Sequence, residues 1–331
     1  MARQAMTRVE RLQAAIAHEP VDRLPVAVWR HFPVDDQDPE ALAESVLAFQ
    51  RLFDLDLIKV TPASSSSVRD WGVEDAWKGD PEGTRDYTRR VITKPEDWHA
   101  LAPLGARSGE LAAHLECLRQ VCQAAGGDVP VLATVFSPLA QAKHLASDER
   151  LSEHLQAAPE AVLTGLETIT RRTINFVEAA RECGIAGVFY AIQHATHRWF
   201  DRAGYARFGE AFDRRILEAA QGCWLNILHL HGEALLFDLT RDYPVQVVNW
   251  HALEAGPGLA EGLGIARGAV CGGVRRWETL VLGTPASVEA EVRAAVEATA
   301  GRGLIVGAGC VVPVLAPRAN LKALRESVDC A

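Results

Sequence analysis

The sequence predicts a (β/α)8 TIM barrel, and three observations carry that expectation. Short β-branched runs alternate with longer helical stretches along the 331-residue chain, as the βα units of a parallel sheet require. The runs number eight, at 24–31, 55–64, 129–138, 185–195, 225–232, 245–252, 269–274 and 304–310. The chain length suits a barrel with insertions, for which about 250 residues is typical. A doubly wound open sheet is the alternative, since strand order is not written in sequence. Its glycine-rich fingerprint is missing after the first strand, and GLAEGLGIARG (258–268) lies late and follows no strand directly.

Each element follows from local pattern. An amphipathic N-terminal helix over 7–18 plugs or flanks the barrel. The first strand, LPVAVWRH, leads into a helix at 39–53, and LDLIKVTPAS forms the second strand. Residues 64–108, rich in Ser, Trp, Asp and Gly, read as a long loop insertion with room for a hairpin rather than as a second domain. A helix at 109–125 precedes the third strand, and 137–184 holds at least two helices, with Pro159 opening the second. Helices at 204–223 and 285–301 follow the fourth and seventh strands. The spacings after the fifth and sixth leave room for one small helix each. One domain over 1–331 is expected.

Composition narrows the function classes. A chain 48% hydrophobic and 23% charged buries a full core. With 43 acidic against 34 basic residues, the net charge of −9 gives no general attraction to nucleic acid or to anionic lipid. The first residues carry charges every few positions, unlike a secretory signal, and no apolar run reaches the 18 or so residues of a membrane helix. Seven cysteines, scattered at 117, 122, 183, 223, 271, 310 and 330, suit reduced thiols in a cytoplasm.

In such a barrel the carboxyl ends of the strands face the active site. The polar side chains there are Arg30 and His31, Thr61, Gln193 and His194, His229 and His231, Asn249 and His251, and Cys310. Five of the 11 histidines (31, 194, 229, 231 and 251) fall at these ends, and His197 is three residues beyond one of them. A single histidine there is most simply a buried ring bonded to backbone. Five on one rim suggest ligand or acid–base chemistry.

Side chains two apart in a strand share a face, so His229 and His231 reach one point. Catalytic zinc wants three protein ligands and an open position, and Cys310, after glycines at the last strand end, is the best third ligand. His251 is the fallback ligand or a substrate-facing residue. In the competing reading no metal binds, and the two imidazoles donate hydrogen bonds to an anionic substrate.

The chain resembles the uroporphyrinogen decarboxylase superfamily, a (β/α)8 barrel group that also contains methylcobamide:coenzyme M methyltransferases. The resemblance rests on Arg23, Pro25 and Val26, the FD-x-D-x-I-x-V stretch at 53–60, L-H-x-x-G at 228–232, GTP-x-x-V at 283–288, and G-C-x-x-P at 309–313 followed by NLKAL at 320–324. The decarboxylases are similar in carrying an arginine-rich segment after the first strand, an aspartate ending the second and a histidine near the position of Cys310. Here the first strand offers only Arg30 and the second ends at Thr61.

The methyltransferase branch is closer, with zinc bound by an H-x-C pair after the fifth strand and a G-C after the eighth. The match is His229, His231 in place of the cysteine, and Cys310. The resemblance implies a zinc-dependent methyltransferase working between a small thiol or methoxy compound and a corrinoid on a partner protein. A metal-free decarboxylase of a tetrapyrrole or other carboxylic acid is the alternative. His194 and His251 are the expected catalytic acid–base groups. Arg30, His31, Thr61, Gln193, Asn249 and Arg275 are the expected substrate contacts, with Arg275 and Arg276 competing as a solvated helix start. The resemblance also allows a homodimer.

Overall fold

The structure is a computed structural model, and it describes residues 5–329. The ten strands are β1 (Val26–Ala27), β2 (Ile58–Val60), β3 (Glu74–Ala76), β4 (Asp86–Arg89), β5 (Val131–Phe136), β6 (Gly187–Ile192), β7 (Ile227–Leu230), β8 (Val247–Trp250), β9 (Ala269–Val274) and β10 (Leu304–Ala308). Eight of them form one sheet in the order β1-β10-β9-β8-β7-β6-β5-β2, and every pairing in it is parallel. All eight lie inside the runs read from sequence. The other two, β3 and β4, pair as an antiparallel hairpin within the expected insertion.

The ring closes between β1 and β2 through a side chain. The Asp56 amide donates to the Val26 carbonyl at 2.9 Å, and the Val26 amide donates back to Asp56 Oδ2 at 2.8 Å. One carboxylate oxygen thus replaces a missing ladder acceptor. Arg11 and Arg23 hold that carboxylate at 2.7 Å each, so its buried charge is paired on both sides. Arg11 belongs to α1 (Arg8–Ile16), capped by Thr7 and Glu10 in a reciprocal box, and Leu12 of the same helix packs into the barrel interior. The N-terminal helix is the plug.

The helices begin where the sequence supplies caps. Asp38 accepts the Glu40 and Ala41 amides ahead of Pro39 to start α2 (Pro39–Phe53), and the left-handed Gly126 ends α3 (Gly109–Ala125). The stretch expected to hold at least two helices contains three: α4 (Pro138–Ala146), α5 (Asp148–Ala157) and α6 (Pro159–Glu182). Ser147, at φ +103, breaks the first from the second, so Pro159 opens the third. α7 (Arg202–Tyr205) runs through a widened turn into α8 (Ala211–Ala219). α9 (Leu259–Ile265), α10 (Pro285–Thr299) and α11 (Arg318–Glu326) complete the wall. No helix among the described residues is long and apolar enough to cross a membrane.

Strand alternation divides the core in two. One parity, including Ala27, Leu57, Leu132, Ile227, Val247 and Ile305, fills the barrel interior. The other, including Val26, Ile58, Val131, Val188, Leu228 and Val248, packs against the helices. This alternation decides which strand-end side chains enter the mouth.

Candidate functional site

The mouth at the carboxyl ends of the strands encloses a cavity of about 350 Å3, within the range of small-molecule sites. Strand ends supply His31, Lys59, Thr61, Phe136, Gln193, His229 and His231, and Cys310 reaches it just past β10. The 64–108 insertion covers one side with Glu82, Thr84, Arg85, Tyr87 and Arg90.

On one wall four side chains converge. His229, His231, His251 and Cys310 offer ligand atoms that all lie within 4.8 Å of one another. Cys310 Sγ is 3.5 Å from His229 Nε2 and 3.9 Å from His231 Nδ1, and His251 Nε2 is 3.4 Å from His231 Nδ1. Zinc–nitrogen and zinc–sulfur bond lengths in a tetrahedral set imply ligand separations of about 3.3 Å for N···N and about 3.6 Å for N···S. The residues fit such an ion.

Register builds this wall. His229 pairs with Asn249 across β7 and β8, Asn249 with Cys271 across β8 and β9, and two residues further on His231 and His251 continue the same inward face. Gly309 lets the chain after β10 come close: a Cβ there would stand 2.9 Å from His251 Cα and from the Trp250 carbonyl oxygen. The backbone therefore delivers the Cys310 sulfur to rings from β7 and β8.

Asn249 fixes the tautomer of His229. Its Nδ2 donates to the Cys271 and Ala308 carbonyls at 2.9 and 3.0 Å, so the oxygen must face His229 Nδ1, 2.7 Å away. Nδ1 then carries the proton and Nε2 presents a lone pair toward Cys310. Burial alone would push the Cys310 thiol up, but His229, with His231 and His251, holds it well below the ordinary thiol range. His231 is raised despite its burial, chiefly by its hydrogen bond to Cys310.

The opposite wall carries a group the strand-end reading passed over. Lys59, only 6% exposed, is the one buried lysine among the described residues. It lies two residues from Leu57 and Thr61 and therefore shares their inward face. Its ammonium donates to Thr61 Oγ1 at 3.0 Å and stands over the rings of Phe189 (4.7 Å) and Trp29 (5.9 Å). Burial pulls its pKa down to about 7. Period-two alternation from Thr61 would have found it.

The remaining nominated residues divide by the same parity. His31, Thr61 and Gln193 line the cavity, with His31 kept neutral by burial, its pKa lowered to about 4. Arg30 sits between inward Trp29 and His31 and so points outward, its guanidinium over Phe32 and Phe49. Arg275 does not reach the cavity either. Gly273 at φ +114 breaks the alternation of β9, and Arg275 pairs with Glu291 of α10 at 3.2 Å. Arg276 pairs with Glu82 at 2.8 Å.

His194, expected as an acid–base group, lies behind the wall, edge-on to Trp199 at 4.6 Å. Burial lowers its pKa to about 3, so the ring is neutral there. His197 is exposed. Asn249 does not line the cavity and holds His229, while His251 stands in the four-residue cluster.

Comparison with known proteins agrees with this architecture. The chain is similar to methylcobamide:CoM methyltransferase MtbA of Methanosarcina mazei, 20% identical over 98% of this chain and 97% of the relative. The same enzyme of Methanosarcina acetivorans is 19% identical over the same shares. A solved methyltransferase structure from Methanosarcina mazei superposes with a TM-score of 0.85 at 20% identity, covering 98% of each chain. A B12-independent methionine synthase from Shewanella sp. W3-18-1 gives 0.62 at 12% identity over 93% and 95% of the chains. The sequence model of uroporphyrinogen decarboxylase (URO-D) matches residues 7–330, and the chain belongs to that family.

Proposed function

We propose that this protein is a zinc-dependent methyltransferase that moves a methyl group between a small thiol or methoxy compound and a corrinoid carried by a partner protein. The observation that carries the reading is the convergence of two β7 imidazoles, one β8 imidazole and the Cys310 sulfur within 4.8 Å on the wall of a 350 Å3 cavity. The relatives named as methylcobamide:CoM methyltransferases support it along nearly the whole chain.

His229 through Nε2, His231 through Nδ1 and Cys310 through Sγ would hold the ion, with His251 beside them as the fourth side chain. A bound divalent cation there supplies Lewis acidity, stabilising the negative charge on a substrate sulfur or oxygen. The methyl group passes without its bonding electron pair, which stays with the heteroatom or the corrinoid that releases it. Asn249 keeps His229 in the ligating tautomer, and His251 stands 3.4 Å from His231 Nδ1 beside the ligating atoms. The rings of Trp29, Phe136 and Phe189 exclude water around the reacting group.

The test is elemental analysis of wild type and His231→Ala, with demethylation of methylcobalamin by added thiol as the activity readout. Stoichiometric zinc and thiol-dependent demethylation that both vanish in the variant are the expected result. A metal-free wild type that still binds small acids would overturn the reading. It would favour a metal-independent decarboxylase of a carboxylic acid, for which the buried ammonium of Lys59 is the supporting observation.

A further inference from the structure

We propose that Lys59 anchors the anionic end of the substrate, and that the substrate is an aryl carboxylate lying between this ammonium and the four-residue cluster on the opposite wall. The inference deepens the methyl-transfer reading and rests on it for the group that reacts. For the group that anchors, it rests on Lys59 alone.

No carboxylate pairs with Lys59 among the described residues, and its one side-chain partner is the neutral Thr61 hydroxyl. Other cations at the mouth are occupied: Arg85 by Asp36 and Asp75, Arg276 by Glu82, and Lys143 by Asp148 at 3.7 Å with Gln193 beside it, while Arg90, without a carboxylate, spends its donors on the Lys143 and His144 carbonyls and lies over the Tyr87 ring. A buried ammonium with two spare N–H donors is costly unless something anionic meets it. Because Lys59 lines the cavity, that partner can come from a ligand.

Shape gives the rest of the class. Phe189 and Trp29 meet edge to face at 4.8 Å beneath the ammonium, and Phe136 and the stacked pair Tyr87 and His144 stand on the insertion side. A flat apolar body between rings, with its one charge on Lys59, fits this lining better than a short aliphatic chain, which would leave most of about 350 Å3 unfilled.

The experiment measures binding of 4-methoxybenzoate, its neutral analogue 4-methoxybenzamide and mercaptoethanesulfonate to wild type, Lys59→Met and Lys59→Arg, with metal content determined on the same samples. Wild type should prefer the acid over the amide by about 10- to 100-fold, the range of a charge-assisted hydrogen bond. Lys59→Met should lose that preference with its metal content unchanged, and Lys59→Arg should keep part of it. Lys59→Met should also melt higher than wild type without ligand, which a structural lysine would not do.

Equal binding of acid and amide by wild type, or an acid preference that survives in Lys59→Met, overturns the proposal. Tighter binding of mercaptoethanesulfonate than of 4-methoxybenzoate overturns the aryl assignment. Lys59-dependent acid binding in a protein that holds no metal leaves the anchor standing and removes the methyl-transfer reading instead.

Discussion

Asp56 and Lys59 lie three residues apart, Asp56 at the entry of β2 and Lys59 within it, and both are buried. Asp56 has two guanidinium partners and two backbone contacts at its own end of the barrel. Lys59, near the mouth, has a hydroxyl and the faces of two rings. Asp213 stands between these extremes: fully buried, and held only by the neutral hydroxyls of Tyr190, Tyr205 and Tyr243. The fold completes the buried ion pairs that close the barrel and leaves Lys59 without a carboxylate where a ligand can enter.

Removing the closed charge should have the largest effect. Asp56→Ala removes the main partner of Arg23 and of the Val26 amide and leaves Arg11 with Asp22 as its carboxylate partner, and should cost about 3–5 kcal/mol, as for a broken buried pair. Urea unfolding reads this, and a loss below 1 kcal/mol would mean that the closure contributes little.

Asp213 should show itself through pH. Burial raises its pKa to about 6, only partly offset by the three hydroxyls. Between its ordinary value and about 6 the native state holds a proton that the unfolded chain has released. Its stabilising contribution is therefore full below the ordinary value and lost as pH rises through 6. About two units correspond to about 3 kcal/mol. Wild type should gain roughly that much relative to Asp213→Asn on going from pH 7 to pH 4. Parallel stability profiles for the two proteins would refute it.

Asn249→Ala should weaken metal retention about 10- to 100-fold by freeing the His229 tautomer, read by competition with a chelator. The smallest effect has the opposite sign to the first. Lys59→Met should stabilise the ligand-free protein by about 1–2 kcal/mol, since a buried amine with no carboxylate partner gives way to an apolar chain of similar volume. Destabilisation instead would remove the contrast between the two charges.

Much of the site was legible because it is local. The H-x-H spacing places His229 and His231 on one inward face, and the glycine before Cys310 signals a close approach of backbone. The same rule of two, applied from Trp29 and Thr61, separates Arg30 from His31 and brings in Lys59. Arg275 escapes the rule because of the positive φ at Gly273, and a β conformation cannot be assumed through a glycine.

The sequence by itself determined the eight strands, the capped helices between them, and which strand residues share a face, because each depends on neighbours within a few residues. Only the tertiary structure decided that Cys310 meets a ring 81 residues away, that Asn249 serves His229 rather than a ligand, and that Lys59 finds no carboxylate. Those outcomes depend on the stagger and closure of the whole barrel, where a partner's distance is set by every strand between.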